Sequence, residues 1–205
     1  MKIIFISSLI KYKRHLILLS AVMLTACAAS KNNIVIDTDD IVISEEYGID
    51  TELHEKFSQA VTLIKNKNYK PAIELLLEVT DKTQKHSAPY INLAIAYSEL
   101  GNVEEAEKIL LKARKINPQH PVTSNQLGLL YRKTGRFADA KKVYENVIKI
   151  YPQFLPARKN LGILCDLFMS DFNCAISHYE AFLQMRPDDK EVKIWLVDLK
   201  RRAGQ

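Results

Sequence analysis

Small residues return along this chain at a fixed interval, and that interval limits the folds open to it more than any other feature. Ala60, Ala94, Gly128 and Gly162 lie on successive steps of 34 residues. Ala72, Ala106 and Ala140 keep the same step, and Ala175 follows one residue late. Two parallel ladders of small side chains at such a period mark a solenoid of helix pairs, each too small to bury its own apolar face alone. Each rung is small because helices approach one another most closely there, and a larger group would overpack the contact.

Larger residues keep the same step. Leu93, Leu127 and Leu161 form one row, and Tyr97, Tyr131 and Cys165 form another. Leu76, Leu110 and Tyr144 form a third, continued one residue late by Tyr179. These rows predict the filling between helices. Pro118, Pro152 and Pro187 fall where each second helix must stop, since proline lacks an amide donor and clashes with the preceding turn. Pro71, Pro121 and Pro156 fall in predicted first turns, where the missing donor is harmless. Gly101 and Gly135 provide the left-handed residue that ends one helix before the next begins.

Leucine, small residue, tyrosine, glycine, aromatic, alanine and proline at these offsets resemble the tetratricopeptide repeat (TPR) family over residues 53 to 189. The resemblance implies an all-α fold, a right-handed superhelical stack of about four helix-turn-helix units plus a C-terminal capping helix. The units are 53–86, 87–120, 121–154 and 155–189. The first carries Gln59 where leucine is expected and Gln84 where proline is. The fourth has one extra residue around Met169 to Phe172 and lacks the turn glycine, which predicts a looser hairpin. Residues 190–205 supply the cap, with Val192, Trp195, Leu196 and Leu199 on one face of a helix.

In this family the first helix of each pair lines a concave groove that grips peptides or partner helices. The family's groove offsets fall here on Val61, Ile95, Leu129 and Ile163 in one row, and on Phe57, Ile91, Asn125 and Lys159 in another. The expected surface is an apolar strip edged by Arg132, Lys133 and Lys159, suited to a partner with apolar anchors and an acidic end. The alternative is that these aliphatic residues are buried against neighbouring helices. The asparagine and lysine arrangement with which some relatives clamp a terminal carboxylate is not reproduced.

Residues 1–26 read as a secretory signal: a basic start, an apolar run from Leu16 to Leu24, then small residues. That run is about half the roughly 20 residues of a membrane-spanning helix, which weighs against an uncleaved anchor. Leu24-Thr25-Ala26-Cys27 resembles the lipobox of bacterial lipoproteins, in which the cysteine takes diacylglycerol and further acyl chains such as palmitate. Several chains on Cys27 would hold the protein on a bilayer stably. By the sorting pattern of such proteins, Ala28 implies the periplasmic face of the outer membrane. The apolar stretch Ile3 to Ile10 ahead of the basic residues makes the signal's basic region long, and no physical account of it follows. Residues 27–52 then form an acidic segment whose aliphatic triplets, Ile34 to Ile36 and Ile41 to Ile43, fit either a tether or a strand offered to a partner. As a coil of about 25 residues it would span roughly 25 to 30 Å.

Charge narrows the partners. Lys2, Lys11, Lys13 and Arg14 lie in the signal, and without them 25 basic side chains face 24 acidic ones. That balance cannot drive phosphate-backbone binding, so no nucleic-acid partner is expected. His54, His86, His120 and His178 are scattered without metal spacing, and no phosphate loop or nucleophile elbow occurs. No enzyme activity, cofactor, metal or small-molecule substrate is expected. Cys165 and Cys174 stand nine residues apart, either as a disulfide or as two small apolar core residues.

Taken together, the residues predict a non-catalytic scaffold with a protein or peptide partner in the envelope. Lipoproteins of this build include pilots for type IV pilus or secretion pores. The alternatives are adaptors for cell-wall hydrolases and accessories to TonB-dependent transport.

Overall fold

The computed structural model describes residues 50–204; the expected signal, Cys27 and most of the acidic segment lie outside them. The described residues hold nine α-helices and no strand. They are α1 (Thr51–Lys65), α2 (Tyr69–Lys82), α3 (Ser87–Glu99), α4 (Val103–Ile116), α5 (Pro121–Lys133), α6 (Phe137–Ile150), α7 (Leu155–Leu167), α8 (Phe172–Met185) and α9 (Lys190–Arg202). The first eight form four antiparallel pairs, each packed on the next, and α9 covers the open side of α8. Prolines sit where their missing amide does least harm: Pro121 and Pro156 are in the first turns of α5 and α7.

Both small-residue ladders are buried, from Ala60, Ala94, Gly128 and Gly162 to Ala72, Ala106, Ala140 and Ala175. Their size is matched across each pair. Gly128 faces Tyr144 and Gly162 faces Tyr179; a Cβ added at either glycine would lie 2.5 Å from a ring carbon. On the same 34-residue step, the first two pairs carry Ala60 with Leu76 and Ala94 with Leu110. The stack therefore exchanges alanine and leucine for glycine and tyrosine halfway along, keeping the summed volume of each contact roughly constant.

The turns inside the pairs follow one design until the fourth. In the first three, an amide reaches back five residues to a carbonyl: Asn68 to Leu63, Asn102 to Tyr97 and Arg136 to Tyr131. The residue just before each donor is left-handed: Lys67, Gly101 and Gly135, with φ of 60°, 81° and 75°. This is a Schellman closure, which satisfies carbonyls the helix end would leave unpaired. In the fourth turn the extra residue stretches the closing bond to six residues, from Asp171 to Cys165, and the left-handed position falls to Ser170 at φ 53°. The looser hairpin expected from the sequence is instead fastened covalently by a Cys165–Cys174 disulfide, with Cα atoms 5.9 Å apart. Asp171 caps α8 by accepting the Cys174 amide.

The cap expected over the end of the stack is α9. Val192 and Leu199 are fully buried beneath it, Trp195 and Leu196 half-buried. It is tied down at its far end by Arg202, which donates to the Asp166 carboxylate at 2.6 Å, and at its near end by Glu191, which accepts from Lys159.

Candidate partner-binding groove

Curvature decides which face can receive a partner. The first helices of successive pairs touch one another: α1 meets α3, α3 meets α5, and α5 meets α7. The second helices make no comparable contacts among the described residues. The first helices therefore line the inner, concave side and the second helices the outer side.

Val61, Ile95, Leu129 and Ile163 all lie half-buried on these inner helices. Val61, Ile95 and Ile163 pack in part against the core, and all four leave apolar surface to water, as an anchor-receiving wall requires. The row ends at a small cavity of about 240 Å³ lined by Ile163, Asp166, Leu167, Tyr179 and Trp195. Leu167 is 67% exposed and leaves apolar surface at this end of the wall. The Trp195 ring packs 5.9 Å from the Tyr179 ring and under the Lys159 ammonium at 5.1 Å. Burial pushes the Tyr179 phenol well above its ordinary pKa, with the Asp166 carboxylate adding to the shift, so it stays neutral.

The second row expected on the wall requires correction. Phe57, Ile91 and Asn125 are buried within the stack rather than open on the groove. Asn125 instead accepts a 3.0 Å hydrogen bond from the Asn160 amide, linking α5 to α7. Lys159, last in that row, faces α9 and is held by Glu191 and the Trp195 ring. The expected basic edge is likewise engaged within the protein. Lys133 donates to the Ser98 carbonyl at the end of α3, and the Arg132 guanidinium stacks over Phe168 at 5.8 Å. With these three cations engaged within the protein, affinity along the aliphatic row would rest on shape and apolar contact more than on charge.

Leu167 and Trp195 were not among the groove residues expected from the sequence. Leu167 falls at the helix end where the repeat pattern is interrupted, and Trp195 belongs to the cap, outside the repeat. A second, larger depression of about 770 Å³ opens on the outer side between α2 and α4, floored by Tyr90, Leu93 and Tyr97. Cys165, Asp171 and Cys174 bring their possible ligand atoms within 4.8 Å of one another, but the disulfide occupies both sulfurs.

Comparison with known proteins agrees with this geometry. Residues 86–153 match the tetratricopeptide repeat family. Among solved structures, a thermophilic TPR protein of Thermus thermophilus is similar with a TM-score of 0.67 and 22% identity, over 73% of this chain and 81% of that one. MamA from Desulfovibrio magneticus gives 0.65 and 18%, over 77% and 88%. The pilF protein of Pseudomonas aeruginosa gives 0.68 and 16%, over 74% and 68%. A comparison with curated proteins finds no match. Residues 86–153 thus match tetratricopeptide repeats, and the described helices as a whole take the tetratricopeptide-repeat fold.

Proposed function

We propose that this chain is a non-catalytic, lipid-anchored scaffold at the periplasmic face of the outer membrane, where its concave wall holds an extended segment or helix of a partner during assembly of an envelope complex such as a type IV pilus or secretion pore. The observation that carries the binding reading is the aliphatic row Val61, Ile95, Leu129 and Ile163, half-buried along the inner wall and ending at the Trp195 cavity. Acylated Cys27 is the anchor in this reading, with the acidic segment before α1 as its tether. The Cys165–Cys174 disulfide supports an oxidising compartment, since such bonds persist outside the cytosol and are rare within it.

Fractionation tests the anchor. The Cys27→Ala chain is expected to lose lipid labelling and to be released from the membrane fraction, because Cys27 is the acylated residue in this reading. Unchanged membrane retention, with no loss of lipid labelling, would reject the anchor. Deleting the chain is expected to lower the amount of assembled pore multimers. Normal pores together with altered septation or hydrolase levels would turn the reading toward a cell-wall enzyme adaptor.

A further inference from the structure

We infer that the Cys165–Cys174 disulfide is a redox latch on the last hairpin, and that its opening releases the end of the concave wall and the cavity around Trp195. In the three other hairpins, a five-residue backbone closure holds the turn, and the residue accepting that bond recurs every 34 positions as Leu63, Tyr97, Tyr131 and Cys165. Only the fourth has the bond stretched by an extra residue and a serine in the left-handed position glycine fills in the two preceding pairs. The widened turn and the covalent staple thus coincide, and Cys165 supplies both the carbonyl that accepts the six-residue bond and the bonded sulfur.

The ten residues from Cys165 to Cys174 close a short loop around the parts that shape the end of the wall. Asp166 and Leu167 line the cavity, and Asp166 also anchors α9 through Arg202. Opening the staple therefore frees α7's last turn and, through the Asp166 pair, loosens the helix that carries Trp195. Cys165 is fully buried and Cys174 half-buried, so an incoming thiolate reaches Cys174 first. A small dithiol, or a dithiol oxidoreductase, attacks the Cys174 sulfur. The S–S bond breaks, Cys165 leaves as a thiolate and takes a proton, and a mixed disulfide forms. The second thiol of the reductant resolves it, freeing Cys174 as a thiol; two electrons and two protons pass to the protein, and the reductant becomes a disulfide. The change in the hairpin stands independently of any partner, whereas its effect on partner capture rests on the groove reading above.

Trp195 is the sole tryptophan of the chain and sits in the cavity, so it reports directly. Dithiothreitol added to the purified full chain is expected to raise acrylamide quenching of Trp195 about twofold and to speed amide exchange over 164–171 at least about tenfold. Exchange in α3 to α6 should not change. The C165A/C174A chain should match the reduced form and ignore dithiothreitol. If that variant does not fold, the reduced wild-type chain carries the comparison alone. Identical quenching and exchange in the two redox states would overturn the latch, as would finding both cysteines as free thiols in protein taken from the envelope. A latch that responds while Leu129 captures nothing defeats the groove reading only; capture by Leu129 with an unresponsive Trp195 defeats the latch only.

Discussion

Gly128→Ala is expected to destabilise the protein by about 1 to 3 kcal/mol, although it adds one methyl group and favours helix. The new Cβ would lie 2.5 Å from Tyr144 Cζ, and the ring it meets is fully buried. Tyr144→Leu alone removes ring volume and leaves a cavity, costing about as much. Combined, the two substitutions recreate the Ala94 and Leu110 pairing one repeat earlier, so the double variant should recover most of the loss. A double-mutant cycle by denaturant unfolding is expected to show a favourable coupling of about 1 to 3 kcal/mol. Additive costs would mean that the small and large ladders do not meet as described. Tyr144→Phe serves as the control. The hydroxyl is buried with no protein hydrogen-bond partner, so its removal should cost little or nothing.

Leu129→Glu is expected to weaken partner capture at least about tenfold while far-ultraviolet circular dichroism stays unchanged. Leu129 sits at the middle of the aliphatic row and is half-buried, so a carboxylate there reaches water without unfolding the helix, yet any apolar anchor must then desolvate it. Capture by affinity pulldown from solubilised envelopes reads the result. Lys133→Ala should matter less for capture, because its ammonium already donates to the Ser98 carbonyl. Undiminished capture by the glutamate variant, with its helicity intact, would remove the inner wall from consideration.

The particular residues show why some of this was legible in the sequence and some was not. A ladder of small residues encodes direct contact between helices, so the step through Ala94 and Gly128 reported the stack correctly and needed no structure. A groove offset encodes only the direction of a side chain, and whether that direction is open depends on the next helix. Ile91 and Leu129 both fall at groove offsets on inner helices, yet the stack buries the former fully and leaves the latter half open. Lys159 read as a free edge cation because its partners Glu191 and Trp195 sit 32 and 36 residues on, in a helix outside the repeat. The disulfide was similarly out of reach. A separation of nine residues sets no distance between sulfurs, which depends on how the interrupted turn folds.

The inner wall, and not the outer face, is expected to meet the partner. A photo-crosslinking amino acid placed at Leu129 in the living envelope, and separately at Leu77 in the outer depression, compares the two surfaces directly. Discrete adducts are expected from position 129 and none from position 77. Adducts from 77 with none from 129 would contradict it.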